Sequence, residues 1–135
     1  MNLPDVPLMS MLRTRMTWLH QRQDVLSQNV ANVDTPGFVA RDLKPLDFND
    51  TVHSSVMNKN SGLTVTNPRH ISIRSGSATK FDDYETHDVE SNPNGNSVSL
   101  EAEMIKVSDT QAQFQAAANL YAKAMTLMKT AIGQP

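Results

Sequence analysis

The sequence predicts a mainly α-helical chain in which long N- and C-terminal helices pair as an antiparallel coiled-coil-like unit. Two heptad patterns, one near each end, predict the helices, because apolar residues recurring in steps of three and four lie on one helical face. A run rich in helix-ending residues, 29–38, follows the first pattern and allows the chain to turn back. We divide the chain into 1–38, a loop-rich centre at 39–98, and 99–135.

The first pattern predicts a helix over about residues 7–32. Asp5 can cap its start, and Pro7 is tolerated in a first helical turn. Gln23 is the one polar member of the pattern, and it fits either a residue that sets register or a residue at the solvent edge. The apolar positions, which we call the N-terminal seam, are Met9, Leu12, Met16, Leu19, Leu26, Val30 and Val33.

The helix is expected to end by about Asp34. Thr35 precedes a proline and is therefore pushed toward extended geometry. Pro36 and Gly37 fit the two central positions of a type II turn, which requires positive φ at the glycine. Phe38 then supplies an apolar anchor for the departing chain.

Two asparagines in this region, Asn29 and Asn32, lie three residues apart and share one helical face. Their spacing fits local capping of a helix end and hydrogen bonding between subunits equally well.

The second pattern predicts a helix of about 33 residues, with Ser99 as its N-cap and Gly133 and Pro135 at its end. Its alternating steps of four and three include polar Gln111. The apolar members, which we call the C-terminal seam, are Leu100, Met104, Val107, Phe114, Ala118, Tyr121, Met125, Met128 and Ile132.

A second apolar row widens the face of the C-terminal helix beyond what one neighbouring helix covers. Its large members are Ile105, Leu120 and Leu127, and its small members are Ala116, Ala124 and Ala131. We therefore expect Ile105, Leu120 and Leu127 to face another subunit.

The centre is broken by proline and glycine. Alternating runs at 63–66 and 71–74 flank a turn-forming Asn67-Pro68 pair, which predicts a small β-hairpin over 63–74. The stretch 75–97 lacks an apolar pattern and is interpreted as a loop.

Composition and motifs argue against several functions. A net charge of -2 and a pI near 6.0 favour neither nucleic acid nor an anionic membrane as a partner, and the absence of cysteine excludes disulfide and thiolate chemistry. The four histidines lack metal-ligand spacing, the acidic stretch 82–90 lacks the spacing of a calcium loop, and no glycine-rich phosphate loop is present. We expect no enzymatic activity, metal, cofactor or small-molecule substrate.

Two further expectations concern targeting. The N-terminus lacks a basic region followed by an apolar run, so no cleaved signal peptide is expected. No apolar run reaches 18 residues, so no transmembrane helix is expected.

Three hypotheses follow from these patterns. The chain is a structural subunit that packs against copies of itself, a helical adaptor or export chaperone that grips a client through Met-rich faces, or a small hydrolase. The hydrolase hypothesis is the weakest, because no nucleophile and base can be named.

Residues 23–38 resemble the N-terminal motif of the bacterial flagellar rod and hook protein family, Asn-x-Ala-Asn-x-x-Thr-Pro-Gly followed by an aromatic residue. The stretch 94–104 resembles the start of the C-terminal helix in the proximal rod proteins of that family. Ser99 stands where aspartate is usual, and residues 44–46 look inserted. The positions that match the motif, with an aromatic residue at its end, are Asn29, Ala31, Asn32, Thr35, Pro36, Gly37 and Phe38.

The resemblance implies a structural subunit of the proximal rod of the flagellar basal body. Such subunits assemble helically with copies of themselves and with other rod proteins into a periplasm-crossing drive shaft, which transmits torque from the membrane ring to the hook. The implied partners also include the adaptor between rod and membrane ring and the flagellar type III export apparatus, through which these proteins leave the cell without a cleaved signal. We expect the termini of the isolated monomer to be frayed, because helices with uncovered apolar faces are stable only in assembly.

Overall fold

The computed structural model describes residues 7–47, 81–86 and 93–133. The elements in chain order are helix α1 (Pro7–Ala31), strand β1 (Arg41–Leu43), strand β2 (Asp83–Glu85) and helix α2 (Leu100–Ala131). The two helices pack against each other, and the strands form a two-stranded sheet between them in sequence. This confirms the predicted fold class.

Hydrogen bonds between the helices show that they run antiparallel. Arg15 near the start of α1 bonds to Gln113, and Asn29 near its end bonds to Glu103 at the start of α2. The predicted hairpin at 63–74 and the predicted cap at Asp5 lie outside the described residues. The division at residues 38 and 98 stays a prediction.

Helix α1 ends as predicted. Its last residue is Ala31, and the N–H of Asn32 still donates to the carbonyls of Gln28 and Asn29 at 3.1 Å. Gly37 has φ 72°, and the N–H of Phe38 donates to the carbonyl of Thr35 at 3.3 Å. Positive φ at the third residue and a bond from the fourth residue to the first are the marks of the predicted type II turn.

Helix α2 also has the predicted limits. Ser99 is its N-cap, in extended geometry, and the Ser99 side chain accepts a hydrogen bond from the N–H of Ala102 at 3.5 Å. The helix ends at Ala131, and Gly133 follows with φ 79°. A glycine with positive φ just beyond a helix is a common stop, because it carries no Cβ to clash.

The sheet was not foreseen. β1 and β2 pair antiparallel, with Arg41 opposite Glu85 and Leu43 opposite Asp83. Since β2 lies inside the stretch 75–97, the loop prediction is wrong at residues 83–85. A strand of three residues is too short to produce a readable alternation, and all three β2 residues are exposed.

The core lies where the sheet meets the helix pair. Trp18, Leu19, Leu43 and Ala117 are buried together. The indole N–H of Trp18 donates to the carbonyl of Lys44 at 2.9 Å, which satisfies its one polar atom. The partly buried residues around this cluster are Met16, Val25, Leu46, Phe81 and Phe114.

The N-terminal seam lies on the packed side of α1. Met9, Leu19 and Leu26 are buried, and Leu12, Met16, Val30 and Val33 are partly buried.

The C-terminal seam requires a correction. Val107, Phe114, Ala118, Tyr121, Met125 and Met128 are partly buried, whereas Leu100, Met104 and Ile132 are exposed, so their assignment to the pairing seam is wrong. The fully buried positions of α2 are instead Glu103, Thr110 and Ala117, spaced seven residues apart. Each precedes a member of the predicted pattern by one residue. A pattern defined by apolar residues does not include Glu103 and Thr110, because both are polar.

Candidate assembly site

The residues that match the family motif lie at the corner of the chain, where α1 ends and the chain turns toward β1. Asn29 is buried there, on the last turns of α1. Its side-chain oxygen accepts from the N–H of Arg41 at 3.0 Å, and its Nδ2 donates to the carbonyl of Arg41 at 2.7 Å. One side chain therefore pairs with both backbone groups of a single β1 residue.

The sheet register explains why Arg41 needs that partner. Backbone bonds join Lys44 to Asp82 at 2.9 Å and Thr86 to Ala40 at 2.8 Å. In an antiparallel pair, hydrogen-bonded positions alternate with positions whose backbone groups point away from the partner strand. Arg41 occupies the second kind of position, and Asn29 thus closes the edge of β1 that faces the helix.

Glu103 is the second member of the site, and no part of it is exposed. Its Oε2 accepts from Nδ2 of Asn29 at 2.9 Å, and its Oε1 accepts from Nζ of Lys106 at 2.7 Å. Burying a carboxylate is unfavourable unless its oxygens are hydrogen-bonded and its charge is paired, and both conditions hold here.

Asn96 is the third member, and it too is completely buried. Its Nδ2 lies 3.0 Å from the carbonyl oxygen of Asn32 and 2.8 Å from those of Val33 and Thr35. Its side-chain oxygen accepts from the N–H of Val98 at 2.8 Å. These carbonyls belong to the turn that follows α1, so Asn96 fixes that turn from more than 60 residues further along the chain.

The backbones of the two segments also meet. The N–H of Gly37 donates to the carbonyl of Asn94, and the N–H of Ser97 donates to that of Phe38, both at 3.2 Å. A Cβ on Gly95 would lie 3.6 Å from the Cα of Gly37. This close approach brings Asn96 within reach of the carbonyls that it contacts.

These contacts bear on the two asparagines whose roles the sequence left open. Asn32 is local: its Nδ2 donates to the carbonyl of Gln28 at 2.8 Å, and its side-chain oxygen accepts from the hydroxyl of Thr35 at 3.2 Å. Asn29 fits neither alternative, because its partners are distant in sequence yet lie within the same chain.

The rest of the motif faces outward. Ala31, Thr35, Pro36 and Gly37 are exposed, and Phe38 is partly buried. The motif therefore has an inner side, carried by Asn29, and an outer side formed by the turn.

A second polar cluster joins α1 to β1. Arg22 donates to both carboxylate oxygens of the buried Asp42 at 2.8 Å, and the guanidinium groups of Arg15 and Arg22 lie 4.9 and 5.5 Å from the ring centre of Trp18. The hydrogen bond to Asp42 raises the pKa of Arg22 above its ordinary value, although burial acts in the opposite direction. Sequence reasoning missed this cluster.

The three residues predicted to face another subunit are exposed along α2. The exposed fractions are 71% for Ile105, 57% for Leu120 and 62% for Leu127. They do not join the inner contacts of the corner.

Within the described residues, no cluster of three or more histidine, cysteine, aspartate or glutamate side chains is arranged to hold a metal ion. Neither long helix in the described part of the chain carries an apolar stretch of the length that a membrane crossing requires.

Comparison with known proteins places these features in a family. A family model described as "Flagella basal body rod protein" matches residues 9–38, which cover α1 except its first two residues, and the turn. The flagellar basal body rod protein FlgB of Proteus mirabilis is 33% identical over 102 residues, which cover 72% of each chain. FlgB of Agrobacterium fabrum is 30% identical over 124 residues, covering 88% of this chain and 87% of the relative. FlgB of Escherichia coli is 33% identical over 102 residues, covering 70% of each. The chain therefore belongs to the FlgB family of flagellar basal body rod proteins, which are structural subunits of the rod.

Proposed function

We propose that the chain is a subunit of the proximal rod and assembles helically with copies of itself and with other rod proteins. The resulting shaft crosses the periplasm and transmits torque from the membrane ring to the hook. The observation that carries this proposal is the row of large apolar side chains that α2 leaves uncovered.

The exposed row lies on one side of α2. At about 100° per residue, Ile105, Leu120 and Leu127 fall within an arc of roughly 60°. The exposed alanines Ala112 and Ala116 lie within or beside the same arc. The buried positions Glu103, Thr110 and Ala117 are centred about 110° further round the helix. The exposed charged residues Asp109 and Lys123 interrupt the row within the same arc. A single exposed leucine is ordinary, but three large exposed apolar side chains on one side of a helix of 32 residues indicate a surface that a partner covers.

The outer side of the motif offers a second contact. Thr35, Pro36 and Gly37 form a compact exposed turn. Backbone hydrogen bonds to the segment before α2 hold this turn in place. We propose that this turn reaches an adjacent subunit and stiffens the shaft. Because the turn is anchored by hydrogen bonds to the segment before α2, little conformational entropy would be lost when it docks.

The methionine residues favour this proposal over an adaptor that grips a client through Met-rich faces. Of the six methionines in the described part of the chain, Met104 alone is exposed. The others are buried or partly buried, as core residues are. An adaptor surface rich in methionine would need several of them uncovered.

The proposal extends to export and partners. We propose that the chain leaves the cell through the flagellar type III apparatus without cleavage of a signal, docks on the adaptor between rod and membrane ring, and has no enzymatic activity. The full-length mass of the chain in isolated basal bodies would support uncleaved export, and a shortened N-terminus would contradict it.

The exposed row provides the test. We expect Leu120→Glu combined with Leu127→Glu to abolish motility when the variant replaces the chromosomal copy, because two buried carboxylates without partners disrupt an apolar interface. Circular dichroism of the purified variant should match that of the parent. The control is Gln115→Glu, at an exposed polar position outside the row, which should remain motile. Full motility of the double variant would refute the proposed interface.

A further inference from the structure

We infer that Asn29, Asn96 and Glu103 form a buried clasp that sets the register of α2 against α1. These three side chains, called the clasp below, differ in kind from the remainder of the helix contact. Each is nearly or completely buried, and each makes hydrogen bonds that cross between the N-terminal and C-terminal parts of the chain.

The apolar seams leave the register poorly specified. Three of the partly buried members of the C-terminal seam are Ala118, Met125 and Met128, and methionine adapts to irregular surroundings. Heptad patterns also repeat, so a slip of seven residues would again place apolar residues opposite one another. In such pairs a buried polar group is a known means of selecting one register, because any other register leaves it without partners.

The spacing of the clasp residues suits them to select one register. Asn96 and Glu103 lie one heptad apart, and they meet two different features of the corner. Glu103 accepts from Asn29, whereas Asn96 donates to the carbonyls that follow α1. A slip of seven residues would remove both sets of bonds at once. It would separate the buried carboxylate from Asn29 and remove Asn96 from the turn that follows α1.

Gln23, the polar seam residue that the sequence offered as a register determinant, is only partly buried. The clasp residues are better placed than Gln23 to set the register. They are more deeply buried, and their partners lie on the opposite part of the chain.

The test measures register directly in the purified full-length chain. Because the chain has no cysteine, Ser27→Cys and Gln115→Cys create two unique sites for nitroxide labels. Both positions are exposed, one on each helix. They lie at different heights along the pair, so a slip of seven residues would change their separation by up to about 10 Å. Double electron–electron resonance resolves a change of that size.

We expect one narrow distance in the labelled parent. Adding Asn29→Leu, Asn96→Ala and Glu103→Leu together should produce a second distance, displaced by about 10 Å, or a broad distribution, while circular dichroism shows that the helices persist. The matched control is Arg15→Leu with Gln113→Leu, which removes a different hydrogen bond between the helices, 2.7 Å long. The control should keep the narrow parental distance.

The alternative outcomes contradict the inference in distinct ways. A single parental distance in the helical clasp variant would show that the apolar seam alone sets register. Loss of helicity would show that the clasp holds the helices folded and does not merely align them. A broad distance in the parent would show that the clasp does not impose one register on the isolated chain.

Discussion

The two ends of the helix pair are built differently. At the corner end, Asn29, Asn96 and Glu103 are buried, and hydrogen bonds within the chain satisfy them. At the far end, where α1 begins and α2 finishes, Leu8, Leu127 and Ile132 are exposed. The corner end therefore supplies partners for its buried polar groups. Apolar side chains are uncovered at both ends, since Leu100, Met104 and Ile105 are also exposed where α2 begins.

This difference refines the expectation that both termini of the isolated chain are frayed. Local stability follows the density of buried contacts and satisfied hydrogen bonds. We therefore expect the end of α1 and the start of α2 to be ordered in the isolated chain, and fraying to concentrate where α2 ends. Assembly would then order the far end and leave the corner largely as it was.

Among the changes to polar residues, Asn96→Ala should have the largest effect on the isolated chain. It removes the hydrogen bonds that Asn96 makes with the carbonyl of Val33 and the N–H of the buried Val98, which costs about 2 to 3 kcal/mol of the free energy of unfolding. Urea unfolding followed by the fluorescence of Trp18, the only tryptophan, measures the change. Asn32→Ala is the control, because it removes bonds to Gln28 and Thr35 on the exposed side of the corner. Equal losses of unfolding free energy in the two variants would show that the buried Asn96 contributes no more stability than Asn32 does.

Gly37→Val should have a smaller effect on the isolated chain and still block assembly. Gly37 has φ 72°, and a Cβ there would meet no atom within 4 Å, so the cost arises from the backbone alone. That cost is about 1 to 2 kcal/mol for a left-handed residue. We expect normal expression with loss of motility, because the turn would change shape on the side that we propose contacts a neighbouring subunit.

Asparagine provides the comparison at this position, because it adopts left-handed geometry more readily than valine does. Gly37→Asn should retain more stability and motility than Gly37→Val. Motility of the valine variant equal to that of the parent would show that assembly does not need this turn geometry.

The sequence predicted the features that depend on neighbouring residues. The end of α1 near Ala31, the positive φ of Gly37 and the cap at Ser99 all follow from local backbone chemistry. The buried side of α2 did not follow, since Glu103 becomes a core residue only through Asn29, 74 positions away. No local pattern assigns a role to Asn96, for the same reason. Polar residues buried by distant partners give no periodic signal, and three-residue strands give almost none.

The smallest change in unfolding free energy is expected at the far end. It tests the comparison between the two ends of the helix pair most directly. Leu127→Gln should change the free energy of unfolding of the isolated chain by no more than about 0.5 kcal/mol, because Leu127 is already exposed. The same change at the corner end, Leu26→Gln, is the matched control and should be strongly destabilising, since Leu26 is completely buried. Urea unfolding of both variants measures the contrast, and amide hydrogen exchange near each site shows whether protection falls toward the end of α2. If Leu127→Gln destabilised the isolated chain as much as Leu26→Gln, the far end would already be packed within the monomer, and its apolar surface would no longer point to a partner.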